Sequence, residues 1–230
     1  DYAPASTYFE KSILNANSLN LTNKQIIPDA FLRNADCLFM TKNYDKAIQN
    51  YEEIINNNWQ GAAYALVQKS VINGLQGNQT EKISTLEFLN RTYPNNIYQD
   101  YSLFEIGNAY IAEGNLNKAT VTLNKLINEF PSSTYVPKAY LKLGLSYFNM
   151  QQEEKALKAY KDVVLKFPKT DEAQEALLAL KELYVYLGRP DDYLDFVQNQ
   201  AGINLSTTEQ DQLMFESAEN QYINGNCTDA

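Results

Sequence analysis

The sequence predicts an all-α solenoid, a stack of antiparallel helix pairs without strands, and three observations carry that prediction. Tyr93-Pro94, Phe130-Pro131 and Phe167-Pro168 are aromatic-proline pairs 37 residues apart, each closing a helical pattern. A fixed period in this range marks units that cannot bury their apolar faces alone and must stack on their neighbours. Apolar residues recur at helical spacing, as in Ala156, Tyr160 and Val163 at i, i+4, i+7. The nine glycines fall mainly in turns or at predicted helix contacts, and no stretch reads as a convincing strand.

Registering the repeats places unit starts at Pro28, Ala63, Asp100, Pro137, Gln174 and Asp211, at intervals of 35 and then 37 residues. In the clearest unit the first helix carries Tyr140, Leu143, Gly144 and Tyr147 on one stripe, and the second carries Ala156, Tyr160 and Val163. The small Gly144 and Ala156 predict close approach of the two helices. The preceding unit fills the matching places with Ile106, Gly107, Tyr110, Ala119, Leu123 and Pro131. The first full unit uses Asn34, Ala35, Leu38, Ala47, Tyr51 and Trp59, with Trp59 replacing the terminal proline. The second unit departs most, with Ser70 for the glycine and Lys82 for the alanine, and predicts a looser helix pair. The fifth has Lys181 and Tyr193 at those places. Gly77-Asn78, Gly114-Asn115 and Gly188-Arg189-Pro190 mark turns within pairs, with Pro190 suited to the first position of a helix.

At the ends, residues 34–47 register on residues 217–230 without a gap, and DYAPASTYFE registers on NYDKAIQNYE. Residues 1–27 are thus expected to form a lone second helix plus linker, and residues 211–230 the lone first helix of a truncated repeat, within a single array spanning 1–230. Both would bare apolar faces, which predicts a fragment of a longer array and self-association through the exposed terminal helices.

Composition narrows the function classes. Twenty-eight acidic against 19 basic residues give a net charge of −9, with only Arg33, Arg91 and Arg189 as arginines. Nucleic-acid binding requires a basic stripe, whereas these lysines are interleaved with glutamates in the manner of a solvated outer face. Histidine is absent, which removes Ser-His and Cys-His dyads and the commonest zinc ligand. Cys37 and Cys227 lie nearly the whole array apart, an unpromising disulfide or metal pair. No glycine-rich phosphate loop follows a strand. The pairs Glu52-Glu53, Glu153-Glu154 and Asp191-Asp192 point about 100° apart on a helix and read as capping and solubility rather than acid-base chemistry. No enzyme activity, cofactor or metal is expected. No stretch is long and apolar enough for a membrane span. Five Asn-x-Ser/Thr sequons, including Asn78-Gln79-Thr80, matter only for an exported, glycosylated protein.

The small, aromatic and proline positions quoted above resemble the tetratricopeptide repeat (TPR) family across nearly the whole chain, most closely over residues 100–168. The resemblance implies a right-handed superhelix whose first helices line a concave, partner-binding groove. The segment FPSSTYVPKAYLKLG is similar to repeats of bacterial envelope proteins, including the Tol-Pal-associated coordinator and outer-membrane assembly lipoproteins. It implies a periplasmic or outer-membrane-associated location, with the cytoplasm as the alternative.

Family geometry puts unit positions 2, 5, 9, 12 and 13 along the groove. Positions 5 (Leu32, Val67, Phe104, Leu141, Leu178, Phe215) and 12 (Phe39, Gly74, Ile111, Phe148, Val185, Tyr222) are apolar almost throughout and are expected to pack between neighbouring first helices. Positions 2, 9 and 13 vary, as a surface reading one partner would. They give the candidate groove Tyr64, Tyr101, Asn108, Lys138, Leu145, Asn149, Glu182 and Tyr186. Tyr64, Tyr101 and Tyr186 are the preferred anchors, against a competing role as helix-packing aromatics. Asn108 and Asn149 could bond an extended peptide backbone. Lys138 is the only basic residue among them, which argues against a clamp for a C-terminal carboxylate. The leading expectation is a non-catalytic scaffold that holds a protein or peptide partner. The alternatives are a regulatory or targeting arm of a larger protein or enzyme, and glycan capture by tyrosines and Trp59.

Overall fold

The computed structural model describes residues 2–18 and 26–225. All regular structure among them is helical, and the chain divides into two compact units, residues 1–114 and 115–230. Cys227 lies outside the described residues, and Cys37 is a buried free thiol in the first unit.

In the first unit six helices follow one another, each packed on the next: α1 (Tyr2–Ser18), α2 (Ile26–Met40), α3 (Tyr44–Asn56), α4 (Ala62–Leu75), α5 (Gln79–Thr92) and α6 (Gln99–Ala112). Their apolar stripes form two neighbouring clusters. One is built on Ala35, Ala47, Tyr51, Ile54, Ala65 and Ile72, the other on Leu66, Ile83, Leu86, Leu89 and Ile106. Trp59, in the place of the unit-end proline, stacks its ring 5.6 Å from Phe31 at the edge of the first cluster. That is a packing role, which leaves the indole poorly placed for glycan capture.

The second unit contains α7 (Leu116–Glu129), α8 (Val136–Asn149), α9 (Glu153–Lys166), α10 (Asp171–Tyr186), α11 (Pro190–Asp195) and α12 (Thr207–Ile223). Its core runs through Ala156, Tyr160, Val163, Ala176, Leu180, Tyr184, Phe196 and Leu213. The helix starts follow local chemistry. Asn115 caps α7, Thr170 caps α10, Pro190 occupies the first position of α11, and Ser206 with Glu209 forms a reciprocal capping box on α12. α11 is only six residues long and runs into a π-helical turn, Phe196–Gln200, closed by the Ala201 N–H donating to the Phe196 carbonyl at 2.9 Å. The fifth second helix is therefore shorter and wider than its counterparts, with Tyr193, Phe196 and Val197 buried.

The six unit starts read from the sequence all fall within the first five residues of α2, α4, α6, α8, α10 and α12. The close approach predicted at Gly144 is real. A Cβ there would sit 2.3 Å from Cε1 of Tyr160. The looser second pair is not seen, because the larger Lys82 is matched by a glycine elsewhere. The lysine stem lies over Gly74, where a Cβ would come 3.2 Å from its Cδ, and its ammonium pairs with Glu105. Ser70 is fully buried with its hydroxyl donating to the Val67 carbonyl at 2.6 Å. The turn closing each first helix has one residue in the left-handed region at the same repeat position: Lys42, Gly77, Gly114, Gln151, Gly188 and Gly225.

Candidate functional site

The first unit contributes three of the candidate groove residues, all half-buried. Tyr64 on α4 packs against the α2–α4 cluster and donates its phenol to Asp36 Oδ1 at 3.2 Å. The same oxygen accepts the fully buried Tyr51 phenol at 2.6 Å. Burial and the Asp36 carboxylate push the Tyr64 phenol up to about 12, and burial pushes Tyr51 further. This tyrosine-carboxylate knot at position 9 of the first unit has no sequence motif, because its members lie on three different helices. On α6, Tyr101 packs against the α4–α6 cluster, and Asn108 donates to Glu105 at 3.3 Å. The Tyr64 and Tyr101 rings thus serve the core edge, as the packing reading of the tyrosines proposed.

The second unit contributes Lys138, Leu145 and Asn149 on α8 and Glu182 and Tyr186 on α10, all exposed. In both helices the residues at positions 3, 7 and 10 are buried: Ala139, Leu143 and Ser146 on α8, and Ala176, Leu180 and Leu183 on α10. Position 9, Leu145 and Glu182, lies two residues beyond position 7, a rotation of about 200° at 100° per residue, and is exposed, whereas Leu141 at position 5 and Val185 at position 12 still pack against the core. Tyr186 is 51% exposed, and its ring meets Phe148 edge-on at a centroid distance of 5.9 Å. Leu145 on α8 and Leu178 on α10 are exposed on the same two helices, as are Phe215 and Tyr222 on α12.

The expectation that positions 5 and 12 pack against neighbouring helices holds at most places and fails at a few. Val67 and Phe104 are both 7% exposed, Leu32, Phe39, Leu141 and Val185 pack against the core clusters, and Phe148 meets Tyr186 of the next first helix, but Leu178 is 59% and Phe215 67% exposed, and Tyr222 is exposed as well. Uniform apolarity down a repeat column suggested core, and at Leu178 and Phe215 it does not coincide with burial.

Among the described residues no three potential metal-ligating side chains cluster, and no helix is long and apolar enough to cross a membrane. What the second unit offers chemically is adhesion: an aromatic pair with flanking aliphatics, edged by the exposed polar groups of Lys138, Asn149 and Glu182.

The tetratricopeptide repeat family model matches residues 29–58, 101–133 and 138–170. These are the first, third and fourth units, and the unmatched second and fifth are those whose small positions hold Ser70, Lys82, Lys181 and Tyr193. No curated protein matches the sequence. Among solved structures, MamA is similar with a TM-score of 0.61 at 17% identity, over 85% of this chain and 94% of that one. A tetratricopeptide repeat protein from Parabacteroides merdae gives 0.58 at 13% identity, over 94% and 80%. YrrB, described as a TPR protein with an unusual peptide-binding site, gives 0.55 at 15% identity, over 76% and 91%. The repeat register, the small-residue helix contacts and these likenesses agree that this chain carries tetratricopeptide repeats and folds as an all-α solenoid of that kind.

Proposed function

We propose that the chain is a non-catalytic interaction scaffold that holds a protein or peptide partner against the outward face of its first helices, centred on Phe148 and Tyr186. The observation that carries this reading is the solvent-exposed edge-to-face pair of those rings, on two helices that also expose Leu145 and Leu178. Aromatic side chains with few rotors give large contact area at small entropic cost, and a contiguous exposed apolar patch marks an interaction site. A peptide is what the description of YrrB names as that protein's ligand; for this chain it is our proposal. The envelope-type repeat at 130–144 supports a periplasmic or outer-membrane-associated setting.

Affinity capture from a detergent extract of the source cell tests the reading, with the native chain beside a Phe148→Ala, Tyr186→Ala variant of unchanged helicity. A partner held by the native chain and lost by the variant is the expected result. Equal capture by both would remove this face from the binding account.

A further inference from the structure

Two clefts of nearly equal volume occupy the same repeat place, one in each unit. In the first unit about 460 Å³ lies between α3, α4 and α5, and in the second about 470 Å³ lies between α7, α8 and α9. With the repeats in register, Ile55 and Asn56 correspond to Ile127 and Asn128, Glu52 to Asn124, Lys69 to Leu143, and Ser84 to Lys158. The helix geometry thus makes the cleft, and the side chains at these places decide what it can hold.

The first cleft is internally neutral, since Lys69 reaches Glu52 at 2.5 Å. The second is not. Lys155, Lys158, Asp162 and Lys166 recur at i, i+3, i+7, i+11 and line one wall. Asp162 is engaged by Lys166 at 3.0 Å, which leaves Lys155 and Lys158 without a carboxylate partner among the described residues. The floor adds donors. Tyr140 accepts from Lys166 at 3.0 Å and Tyr147 accepts from Asn124 at 3.2 Å, so each phenol keeps its own proton to give. Donors therefore outnumber acceptors, and the charge is locally positive in a chain whose net charge is −9.

We infer that this cleft between α7 and α9 is a second binding site, one that takes an extended acidic polypeptide segment. The wall from Lys155 to Lys166 runs about 16 Å along α9 at 1.5 Å per residue, with the unpaired ammonium groups of Lys155 and Lys158 one turn apart at its near end and Lys166, already paired with Asp162, at its far end. An extended strand covers that length in about five residues at 3.3 Å each, with carboxylates meeting the ammonium groups in charge-assisted bonds. On the opposite wall the exposed Asn128 amide faces the cleft at a place to pair with the peptide backbone, whereas Asn124 donates its amide protons to the Thr120 carbonyl at 2.7 Å and the Tyr147 phenol at 3.2 Å.

Fluorescence anisotropy of labelled hexaglutamate against the whole chain at low salt tests this, with Lys155→Gln, Lys158→Gln as the variant. Both lysines are exposed and make no structural ion pair, so folding is retained and checked by circular dichroism. The expected results are saturable binding, about tenfold weaker in the variant and weaker with added salt, and unchanged by Lys69→Gln in the neutral cleft. Absence of saturable binding, or equal binding by native chain and variant, would overturn the proposal. Inorganic phosphate displacing the peptide at equal concentration would replace it with a small-anion site. The Phe148→Ala, Tyr186→Ala variant should bind hexaglutamate normally, which separates this site from the aromatic face.

Discussion

Gly144→Ala is the sharpest test of how the second unit is packed, because two effects of opposite sign compete. In a helix interior alanine is favoured over glycine by about 1 kcal/mol, so an unobstructed substitution would stabilise the protein. Here the new methyl would lie 2.3 Å from Cε1 of Tyr160 and 2.6 Å from both Cδ1 and Cζ. Ordinary contact begins near 3.4 Å, so the ring must move by about 1 Å. Tyr160 is 7% exposed and packed within the α8–α10 core, so a rigid ring has nowhere to go without moving the α8–α9 contact. Overpacking of this kind costs about 3 kcal/mol at the upper end of its usual range, leaving a net loss of about 2 kcal/mol. For a chain of this size that lowers Tm by about 4–8 °C. The assay is thermal melting followed by far-ultraviolet circular dichroism, with Gly144→Ala beside the double variant Gly144→Ala, Tyr160→Leu. Leucine removes the ring atoms that clash, so the double variant should lose at least 1 kcal/mol less than the sum of the singles. A raised or unchanged Tm for Gly144→Ala, or strict additivity in the cycle, would refute the close approach.

Two further predictions rest on backbone and phenols. Lys42 and Gln151 hold φ of 62° and 56° at the turn position where the other four repeats have glycine, so Lys42→Gly and Gln151→Gly should each stabilise by about 0.5–1 kcal/mol, read as a rise in urea midpoint; a fall would show that the lysine and glutamine side chains contribute more than the strained backbone costs. Tyr64 and Tyr160 are raised from 10.0 to about 12, both chiefly by burial, with Asp36 and Glu182 respectively as the next cause. Because the unfolded phenols ionise first, the stability these groups contribute is intact below pH 10 and lost as pH climbs towards 12. Denaturant midpoints should hold steady up to about pH 10 and then fall; phenolate absorbance showing every tyrosine of the folded chain ionising at the ordinary value would contradict this.

The fold was legible because each helix pair repeats the same physical demand. A small residue on the first helix, Gly144 against Tyr160 in the clearest unit, recurs in most units, and a turn with positive φ follows each first helix at a fixed period. Where the letters departed, sequence reasoning faltered at second-order compensation. Lys82 for alanine suggested a loose pair, and the answering change, Gly74, sits on the partner helix in a column where most repeats carry a large apolar residue. Nothing in a one-dimensional register says that those two columns meet.

The candidate site was less legible, for a related reason. A column of apolar residues looks the same whether it faces a neighbour or water, and only the rotation of the helix tells them apart. On α10 that rotation is fixed by Ala176, Leu180 and Leu183, which bury their stripe and turn Leu178 and Tyr186 outward. The lysines of α9 were passed over in the same way. Read along the chain, Lys155, Lys158 and Lys166 are ordinary members of a solvated charged face, interleaved with acids. Folded, the acids Glu153 and Glu154 lie at the helix start, where Glu154 pairs with Arg189, and Asp162 is taken by Lys166. The same net composition that argues against a basic surface therefore hides a local one. Acids that neutralise lysines in a residue count do not neutralise them in space once they are engaged elsewhere, and in the α7–α9 cleft that difference leaves two ammonium groups, two phenol protons and the Asn128 amide facing the same gap.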